Sequence, residues 1–259
     1  MRKVSVFLYS LTSYLLFMGV FVYLIGFLLN FMVPKSVDQG EVLPLLPALF
    51  VDLGLILLFG LQHSLMARPR FKTWLMKKIP LAAERSTYVF VSTLMFIVLI
   101  GLWQPIPIVI WNLQSLLGKM LMIGLYALGI LGILVTSFQI NHFDFLGVRQ
   151  GYLYLRGQDY YRPKFVKSFL YRWVRHPMHT ATIIFFFATP RLTLGHLILA
   201  LGMTIYALVG IHYEERDLER SLGDDFRAYR QKTPSLLPIP IRLVRQIKDW
   251  TVTMSKEQV

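Results

Sequence analysis

Long uncharged stretches are the feature that most limits what this chain can fold into. Residues Val4–Val33 contain no charged side chain, and about 20 consecutive apolar residues in a helix cross the hydrocarbon core of a bilayer. Three further runs of spanning length follow, at Val42–Ala67, Tyr88–Trp111 and Leu116–Ile140. The composition agrees, because only 16% of the residues are charged, against about a quarter in soluble domains. We therefore expect an all-α fold, a polytopic transmembrane helical bundle.

The last third of the chain predicts a helical hairpin. Thr180–Thr189 is apolar but only about half a span long, and it ends at Pro190; a second apolar run, Leu194–Ile211, follows. A turn at residues 189–191 would bring the second arm back to the side from which the first arm started. We predict four full spans in residues 1–140, then a loop, the hairpin and a C-terminal tail in residues 141–259, all in one integrated domain.

Basic residues cluster between alternate spans. Residues 68–86 hold six Lys or Arg and residues 141–176 hold seven, whereas residues 32–42 and 112–119 hold one each. Cytoplasmic loops of membrane proteins carry such an excess of Lys and Arg, so we expect both termini to be cytoplasmic. The net charge of +13 then reflects topology and contact with membrane lipid rather than nucleic-acid binding. The expected location is the bacterial inner (cytoplasmic) membrane.

Several function classes fit this sequence poorly. The chain has no Cys and only six His, of which His176 and His179 are the one close pair, too few for two metals; we expect no metal. Transporters favour intramembrane charges, and here the main ones are Asp52 and Lys119. A membrane transporter without catalysis stays open as an alternative. No Gly-x-Gly-x-x-Gly motif of a soluble dinucleotide-binding domain is present.

The segments on either side of the hairpin carry the residues best suited to ligand binding. Pro177 suits the first position of a helix, which sets His176 beside backbone N–H groups that can hold a carboxylate. After the hairpin, Glu214 and Glu215 are adjacent carboxylates that can accept hydrogen bonds from an amine or from ribose hydroxyls. A capped helix start and simple pairing with nearby arginines is the structural alternative.

The order of these motifs resembles a known family. Tyr-Arg-x-Val-Arg-His-Pro at 171–177, Glu214-Glu215, Gly223 and the prolines at 234 and 238 are similar to the C-terminal signature of isoprenylcysteine carboxyl methyltransferase-like membrane enzymes. Residues 59–69, 84–88 and 141–150 resemble the membrane-bound methanethiol S-methyltransferases within that superfamily. The resemblance implies methyl transfer from S-adenosylmethionine to a small lipophilic thiol, with methanethiol giving dimethyl sulfide. An isoprenylcysteine carboxylate or another lipophilic acceptor is the alternative.

The resemblance also implies which residues bind the cofactor. The pocket is expected to form from the His-Pro segment, the helix with the two glutamates and the tail, in a cytoplasmic cofactor-binding loop and tail. The family pattern often has tyrosines where this chain has the Met178-His179-Thr180 segment and Phe226, and His179 is expected to replace one of those contacts. The cofactor-binding residues implied are Tyr171, Val174, Arg175, His176, Pro177, His179, His212, Glu214, Glu215 and Tyr229.

A second group of residues is expected to act on the thiol. Methyl transfer to sulfur needs the thiolate, because the thiol is a poor nucleophile, and it needs alignment in a dry pocket. We expect His142 or Asp144 to take the proton, directly or through Tyr88, and Arg149 or Arg85 to stabilise the anion. The structural alternatives are an interfacial hydrogen bond for His63, a loop ion pair for Glu84 with Arg85, and a helix cap and turn for residues 141–144. The catalytic candidates, with Glu84 beside them, are His142, Asp144, Tyr88, Arg149, Arg85 and His63.

Overall fold

The computed structural model describes residues 2–161 and 169–238. Helices dominate this part of the chain, and one pair of short strands joins them. The elements in chain order are α1 (Arg2–Leu29), α2 (Leu45–Ala67), α3 (Pro69–Met76), α4 (Leu81–Leu102), β1 (Val109–Asn112), α5 (Leu116–Gln139), α6 (His142–Phe145), α7 (Val148–Arg156), a 3₁₀ turn (Phe169–Arg172), α8 (Pro177–Phe187), β2 (Arg191–Thr193), α9 (Leu194–Leu222) and α10 (Asp224–Lys232).

Five of these helices are long and apolar enough to cross a membrane: α1, α2, α4, α5 and α9. Many of their large apolar side chains, such as Phe50, Leu57 and Leu121, are exposed on the outside of the bundle. In water that exposure would be unfavourable, whereas lipid tails are as apolar as the side chains themselves. The chain is therefore a polytopic helical membrane protein, as the uncharged stretches predicted.

The prediction for the third span was wrong at both ends. The apolar run Tyr88–Trp111 was expected to form it, but α4 occupies Leu81–Leu102. Pro105 and Pro107 follow, and proline removes a backbone donor and breaks a helix. At the other end α4 starts one turn before Glu84, so that the charged residues before the apolar run belong to the same helix as the span.

Two short strands were not anticipated in the all-α prediction. β1 and β2 pair antiparallel, with Val109 opposite Thr193 and Asn112 opposite Arg191. β2 lies in the hairpin turn between α8 and α9, where the sequence predicted a change of direction at 189–191. The sheet thus ties that turn to the connection between α4 and α5.

The hairpin arms differ in length. α8 begins at Pro177, as expected, and has only 11 residues, whereas α9 continues for 29 residues to Leu222. The charged segment with Glu214 and Glu215 is the last part of this same helix. Gly223, at φ 55°, ends α9 and allows α10 to fold back, because glycine adopts positive φ without steric cost.

The core lies where α1, α4, α5, α8 and α9 meet. Its fully buried side chains include Phe27, Leu99, Trp103 and Leu199. The closest helix approach is between α5 and α8: a Cβ placed on Gly129 would lie 2.8 Å from the backbone nitrogen of Phe185. Only a glycine permits that approach, which sets how closely the second half of α8 packs on α5.

Polar side chains gather at two opposite ends of the bundle. The sheet end contains β1, β2, the end of α1 and the starts of α2 and α9. The cavity end contains the start of α4, the end of α5, α6, α7 and the charged part of α9. The basic segments of the sequence lie at the cavity end, and so does Ser10 near the start of α1, which accepts a hydrogen bond from Ser86 at 2.8 Å.

Candidate functional site

A cavity of about 680 Å³ opens at the cavity end, within the range of about 300–1,000 Å³ typical of small-molecule sites. Its walls come from seven helices and the 3₁₀ turn, so segments far apart in sequence meet there. The lining residues that carry polar side chains are Lys72, Glu84, Arg85, Gln139, Asn141, Asp144, Gln150, Tyr154, Gln158, Tyr160, Tyr171, Arg175, His176, Glu214 and Tyr229.

His176 is the centre of one wall. It precedes α8, and its ring is buried. The ring Nε2 lies 2.9 Å from Glu215 Oε1, and Nδ1 lies 3.6 Å from Glu214 Oε2. Glu215 is held in place by Arg175, whose Nη2 is 2.7 Å from Oε1. The His-Pro segment and the two glutamates, some forty residues apart, therefore form one cluster.

The tail closes over this cluster. The backbone N–H groups of Arg175 and His176 donate to the carbonyls of Pro234 at 2.9 Å and Ser235 at 3.0 Å. The carbonyl of the next residue, Leu236, accepts from the Thr180 hydroxyl at 2.7 Å. The stretch 234–236 thus lies along the start of α8, at the place where orphan helix N–H groups need partners.

Three ionisable groups on this wall have shifted pKa values. Burial lowers the pKa of His176, but its hydrogen bonds to Glu214 and Glu215 outweigh burial, so that the pKa is raised overall. Burial raises the pKa of Tyr171 to about 12, with a smaller contribution from Glu214. The pKa of Tyr229 is also raised to about 12, mainly by burial. Both phenols stay protonated at neutral pH, and the Tyr229 hydroxyl donates to the backbone carbonyl of Tyr171 at 2.6 Å.

The opposite wall contains Arg85, in the second turn of α4. Its Nε–H donates to the carbonyl of Phe145 at 2.6 Å. The guanidinium carbon lies 4.8 Å from the centre of the Phe145 ring and 5.0 Å from that of Tyr88, distances at which a cation is attracted to an aromatic face. The guanidinium is thereby held in one position at the edge of the cavity.

Behind Arg85 lies a second polar group that does not line the cavity. The Tyr88 hydroxyl forms a short hydrogen bond with Nε2 of His63, and Nδ1 of His63 is 3.0 Å from the Ser92 hydroxyl. His63 and Tyr88, both catalytic candidates from the sequence, are therefore together. Neither of them contacts His142 or Asp144, although the sequence suggested that Tyr88 relays a proton for these residues.

Asp144 faces the cavity from the short helix α6. Its Oδ1 accepts from Arg149 Nη1 at 3.3 Å, and its Oδ2 accepts from the Tyr160 hydroxyl at 3.0 Å. The Asp144 backbone carbonyl accepts from Gln150 at 3.0 Å. Arg149 itself does not line the cavity. Its guanidinium contacts Asp144 from outside the lining.

His142 does not line the cavity that Asp144 lines. Its ring is buried and stacks on Phe138 at 4.5 Å between ring centres. The ring nitrogens lie 2.9 Å from the Ser137 hydroxyl and 3.2 Å from the Tyr14 hydroxyl, and burial lowers its pKa. The short helix α6 is regular enough to turn the two side chains apart, as residues two apart on a helix do.

The backbone around α6 explains this arrangement. Asn141 adopts φ 72°, and its side chain accepts from the Asp144 N–H, which caps the helix. Gly147 adopts φ 90°, and a Cβ there would lie 2.7 Å from the backbone nitrogen of Ser86. α6 therefore lies between two left-handed residues and next to the start of α4, which places Asp144 on the same wall as Arg85.

The predicted cofactor-binding residues divide into two groups. Tyr171, Arg175, His176, Glu214 and Tyr229 line the cavity, and Glu215 contacts two of them from behind. The remaining ones lie outside its lining; His212 is exposed, and Val174 is buried. Their proposed roles stay predictions. The residues outside the lining are Val174, Pro177, His179 and His212.

Sequence reasoning missed part of the wall. Gln139, Tyr154, Gln158 and Tyr160 line the cavity without having been singled out. The available signal was weak: these residues are polar or aromatic positions at the end of an apolar span and along the basic, aromatic loop that follows it. Phe226, noted as a departure from the family pattern, also lines the cavity and is almost fully buried.

One triad could bind a metal ion by its spacing. Donor atoms of His176, His179 and Glu214 lie within 4.8 Å of one another. The His176 ring is already hydrogen-bonded to Glu215, so the geometry is explained without an ion. The expectation of a metal-free site stays a prediction.

Comparison with known proteins identifies the family of this chain. The family model described as NnrU protein matches residues 52–253, which include most of α2, all of α4 and α5, the hairpin and every polar residue of the cavity. This chain belongs to the NnrU family. The matched residues contain both walls of the cavity.

Relatives with curated names belong to the group that the sequence motifs resemble. A protein of Mycobacterium tuberculosis (strain ATCC 25618 / H37Rv) named methanethiol S-methyltransferase is 41% identical over 242 residues, 93% of this chain and 99% of the relative. A protein of the same name from Pseudomonas deceptionensis is 43% identical, covering 91% of this chain and 90% of the relative. The resemblance to this group is confirmed.

More distant similarity extends beyond bacteria. A protein of Sus scrofa named nurim is 29% identical over 213 residues, 78% of this chain and 77% of the relative. No solved structure matches the chain.

Proposed function

We propose that this protein transfers a methyl group from S-adenosylmethionine to methanethiol, giving dimethyl sulfide. The observation that carries the proposal is the cavity itself, because it unites Tyr171, Arg175 and His176 with Glu214 and the segment 141–150. Those are the stretches on which the resemblance to methanethiol S-methyltransferases rests. Relatives of that name cover more than nine-tenths of the chain.

The fit of the cofactor can be judged from the wall chemistry. S-adenosylmethionine carries an amine, hydroxyls and a carboxylate, and it supplies an electrophilic methyl group on a positively charged sulfur when bound. The wall around His176 offers the Glu214 carboxylate, half exposed, as an acceptor, and the phenol of Tyr171 as a donor. We propose that Tyr171, Arg175, His176, Glu214 and Tyr229 hold the cofactor.

Glu215 has a positioning role in this proposal. It pairs with both Arg175 and His176 and therefore fixes two cofactor-binding side chains at once. A buried pair of this kind is sensitive to loss of one partner, because the remaining charge is left uncompensated.

The acceptor is proposed to bind on the opposite wall, near Arg85 and Asp144. The other catalytic candidates then act through contacts with these two: Arg149 holds Asp144, Tyr88 supports the Arg85 guanidinium, and His63 holds Tyr88. His142 joins the end of α5 to α6. A small thiol is soluble in hydrocarbon, which suits a site at the end of a membrane bundle.

The proposed topology follows from the basic loops. We propose that α1, α2, α4 and α5 are full crossings, that α8 and α9 form the hairpin, and that the cavity end faces the cytoplasm. Both termini are then cytoplasmic, and the protein is an inner-membrane enzyme. Excess Lys and Arg on the cavity side is the support for this orientation.

Two measurements test the proposal. Calorimetry on detergent-purified protein should detect binding of S-adenosylmethionine and S-adenosylhomocysteine, and addition of methanethiol should then release dimethyl sulfide into the headspace. Cofactor binding without product from methanethiol would shift the acceptor to longer thiols or a prenylcysteine carboxylate. Absence of cofactor binding would remove the methyltransferase proposal and favour the transporter.

A further inference from the structure

Arg85 differs from the other arginines of the candidate site in its partners. Arg175 lies 2.7 Å from Glu215, and Arg149 lies 3.3 Å from Asp144. Within residues 2–161 and 169–238, Arg85 has no carboxylate within 4 Å, and its only hydrogen bond runs from Nε to the Phe145 carbonyl. Its two terminal NH₂ groups have no partner among the described residues.

A guanidinium in this state is suited to hold an anion. The two aromatic rings and the Phe145 carbonyl fix its position, so that little ordering is needed when a ligand arrives. Arginine stays charged in proteins and cannot serve as a base. Arg85 therefore presents a permanent positive charge and free donors to the cavity.

Among the described residues near Arg85, each group that could accept the thiol proton is already hydrogen-bonded, ion-paired or outside the cavity. Both oxygens of Asp144 already accept hydrogen bonds, from Arg149 and Tyr160, so that a proton arriving there would displace a donor. Glu84 lies 3.6 Å from Lys72, and His63 is separated from the cavity by Tyr88. The charged and titratable groups around Arg85 are Glu84 and Tyr88 on α4, Asp144 on α6, Tyr160 after α7, Lys72 on α3 and His63 on α2.

We propose that Arg85 captures the acceptor as a thiolate already formed in water, so that no residue of the protein acts as the base. The S–H bond breaks in solution, the electron pair stays on sulfur and the proton goes to water. One negative charge then enters the cavity and pairs with Arg85. This inference rests on the proposed function and extends it to the ionic state in which the substrate binds.

The substrate class follows from this charge. Acceptors are small soft monoanions, and among thiols of similar size the more acidic one is bound better at a given pH. A neutral molecule of the same shape, such as dimethyl sulfide, lacks the charge and binds weakly. Release of the neutral product is thereby favoured.

Proton counting tests the proposal without turnover. Methanethiol is titrated by calorimetry into protein saturated with S-adenosylhomocysteine, below the pKa of the free thiol, in two buffers of different ionisation enthalpy. Thiolate capture releases about one proton to the buffer per bound thiol. A count near zero overturns the proposal, because the proton then stays on the thiol or on a protein base. The absence of thiol binding overturns it as well.

Variants locate the charge. Arg85→Gln should weaken thiol binding at least tenfold and abolish proton release, with S-adenosylhomocysteine binding retained, and Arg85→Lys should restore part of both. The matched control is Arg68→Gln, since Arg68 also stacks on a tyrosine, at 4.0 Å from the Tyr213 ring centre, but does not line the cavity. Proton release that persists in Arg85→Gln overturns the proposal, and so does a parallel loss of S-adenosylhomocysteine binding.

The pH profile adds a second readout. With thiolate capture, kcat/KM rises with pH up to the pKa of the free thiol, and the break moves to lower pH with trifluoroethanethiol, the stronger acid. A break at the same pH for both thiols identifies a protein base instead. If wild-type protein fails to bind S-adenosylhomocysteine, the proposed function fails, independently of where the thiol proton goes.

Discussion

The two ends of the helix bundle both bury polar side chains, but they use them differently. At the sheet end, Asp38 accepts hydrogen bonds from Asn30 and Thr193, and Asp52 accepts from the Gln104 N–H at 2.8 Å. Lys35 donates to the carbonyl of Gly101 at 2.7 Å. These contacts join loops to helices, and none of these residues line the 680 Å³ cavity.

At the cavity end, polar side chains surround open space. His176 and Asp144 are held by neighbours from behind and face the cavity in front, and Arg85 has terminal NH₂ donors there that no described residue contacts. Burial of polar groups is costly unless they are paired. The contacts within the protein indicate a structural role at the sheet end, where Asp52 Oδ2 and His196 Nδ1 are the buried atoms without a partner among the described residues. Donors left open toward a cavity indicate a ligand.

The largest expected effect comes from comparing two buried histidines. His176 at the cavity end is 5% exposed, and His196 at the sheet end is 1% exposed, with Nε2 lying 2.8 Å from the Phe186 carbonyl. His176→Asn should weaken S-adenosylhomocysteine binding about 100-fold, roughly 2.7 kcal/mol. His196→Asn should lower thermal stability and leave binding by the folded protein unchanged. Equal losses of binding in calorimetry would erase the distinction between the two ends.

The next effect concerns the contact between α5 and α8. Gly129→Ala should destabilise the protein by about 1–2 kcal/mol, because its Cβ would overlap the backbone of Phe185. Gly124, on the same helix, has nothing within 4 Å of an added Cβ. Gly124→Ala should therefore be neutral or slightly stabilising. The midpoint of thermal unfolding in detergent distinguishes them, and similar midpoints would mean that α8 is not seated this tightly.

A smaller effect separates two aspartates. Asp144→Asn keeps the shape of the side chain but loses the charge that pairs with Arg149, and we expect kcat/KM to fall by less than about tenfold. Asp52→Asn keeps the acceptor for Gln104 and should leave kcat/KM unchanged. General acid–base catalysis contributes about 100- to 10,000-fold, so a loss of 100-fold or more at Asp144 would make it the base.

The smallest effect is a pH dependence of stability. The pKa of His176 is raised in the folded protein, so the imidazolium–carboxylate contacts stabilise the fold fully below the unfolded pKa of about 6.5. This contribution is lost as the pH rises through the folded pKa. We expect a small contribution, measured as a decrease in unfolding midpoint above pH 6.5. His176→Gln should flatten that part of the curve, and an unchanged curve would show that the pair carries no net stability.

Much of the fold was accessible from the sequence because hydrocarbon imposes simple rules. A backbone in lipid must satisfy its hydrogen bonds internally, so long uncharged stretches become helices regardless of detail. The start of α8 was also predictable, because Pro177 suits a first helical position. The β1–β2 pair was not, since its strands are four and three residues long and form only when the α4–α5 connection meets the hairpin turn.

The candidate site was predictable to the level of segments and not of side chains. Sequence order identified the His-Pro segment, the Glu214-Glu215 pair and the stretch 141–150. It could not decide between His142 and Asp144, or between Arg149 and Arg85. In each pair both residues have the right chemistry, and only one of them lines the cavity.

The sequence by itself determined the membrane class, the approximate spans and the asymmetry of positive charge, because these depend on composition along the chain. The tertiary structure decided which side chains meet. Asn141 and Gly147 take left-handed conformations, and Gly147 packs on Ser86, 61 residues away. Together these contacts turn Asp144 toward Arg85 and turn His142 toward Tyr14. Side-chain direction depends on such contacts between distant segments, and no local pattern specifies them.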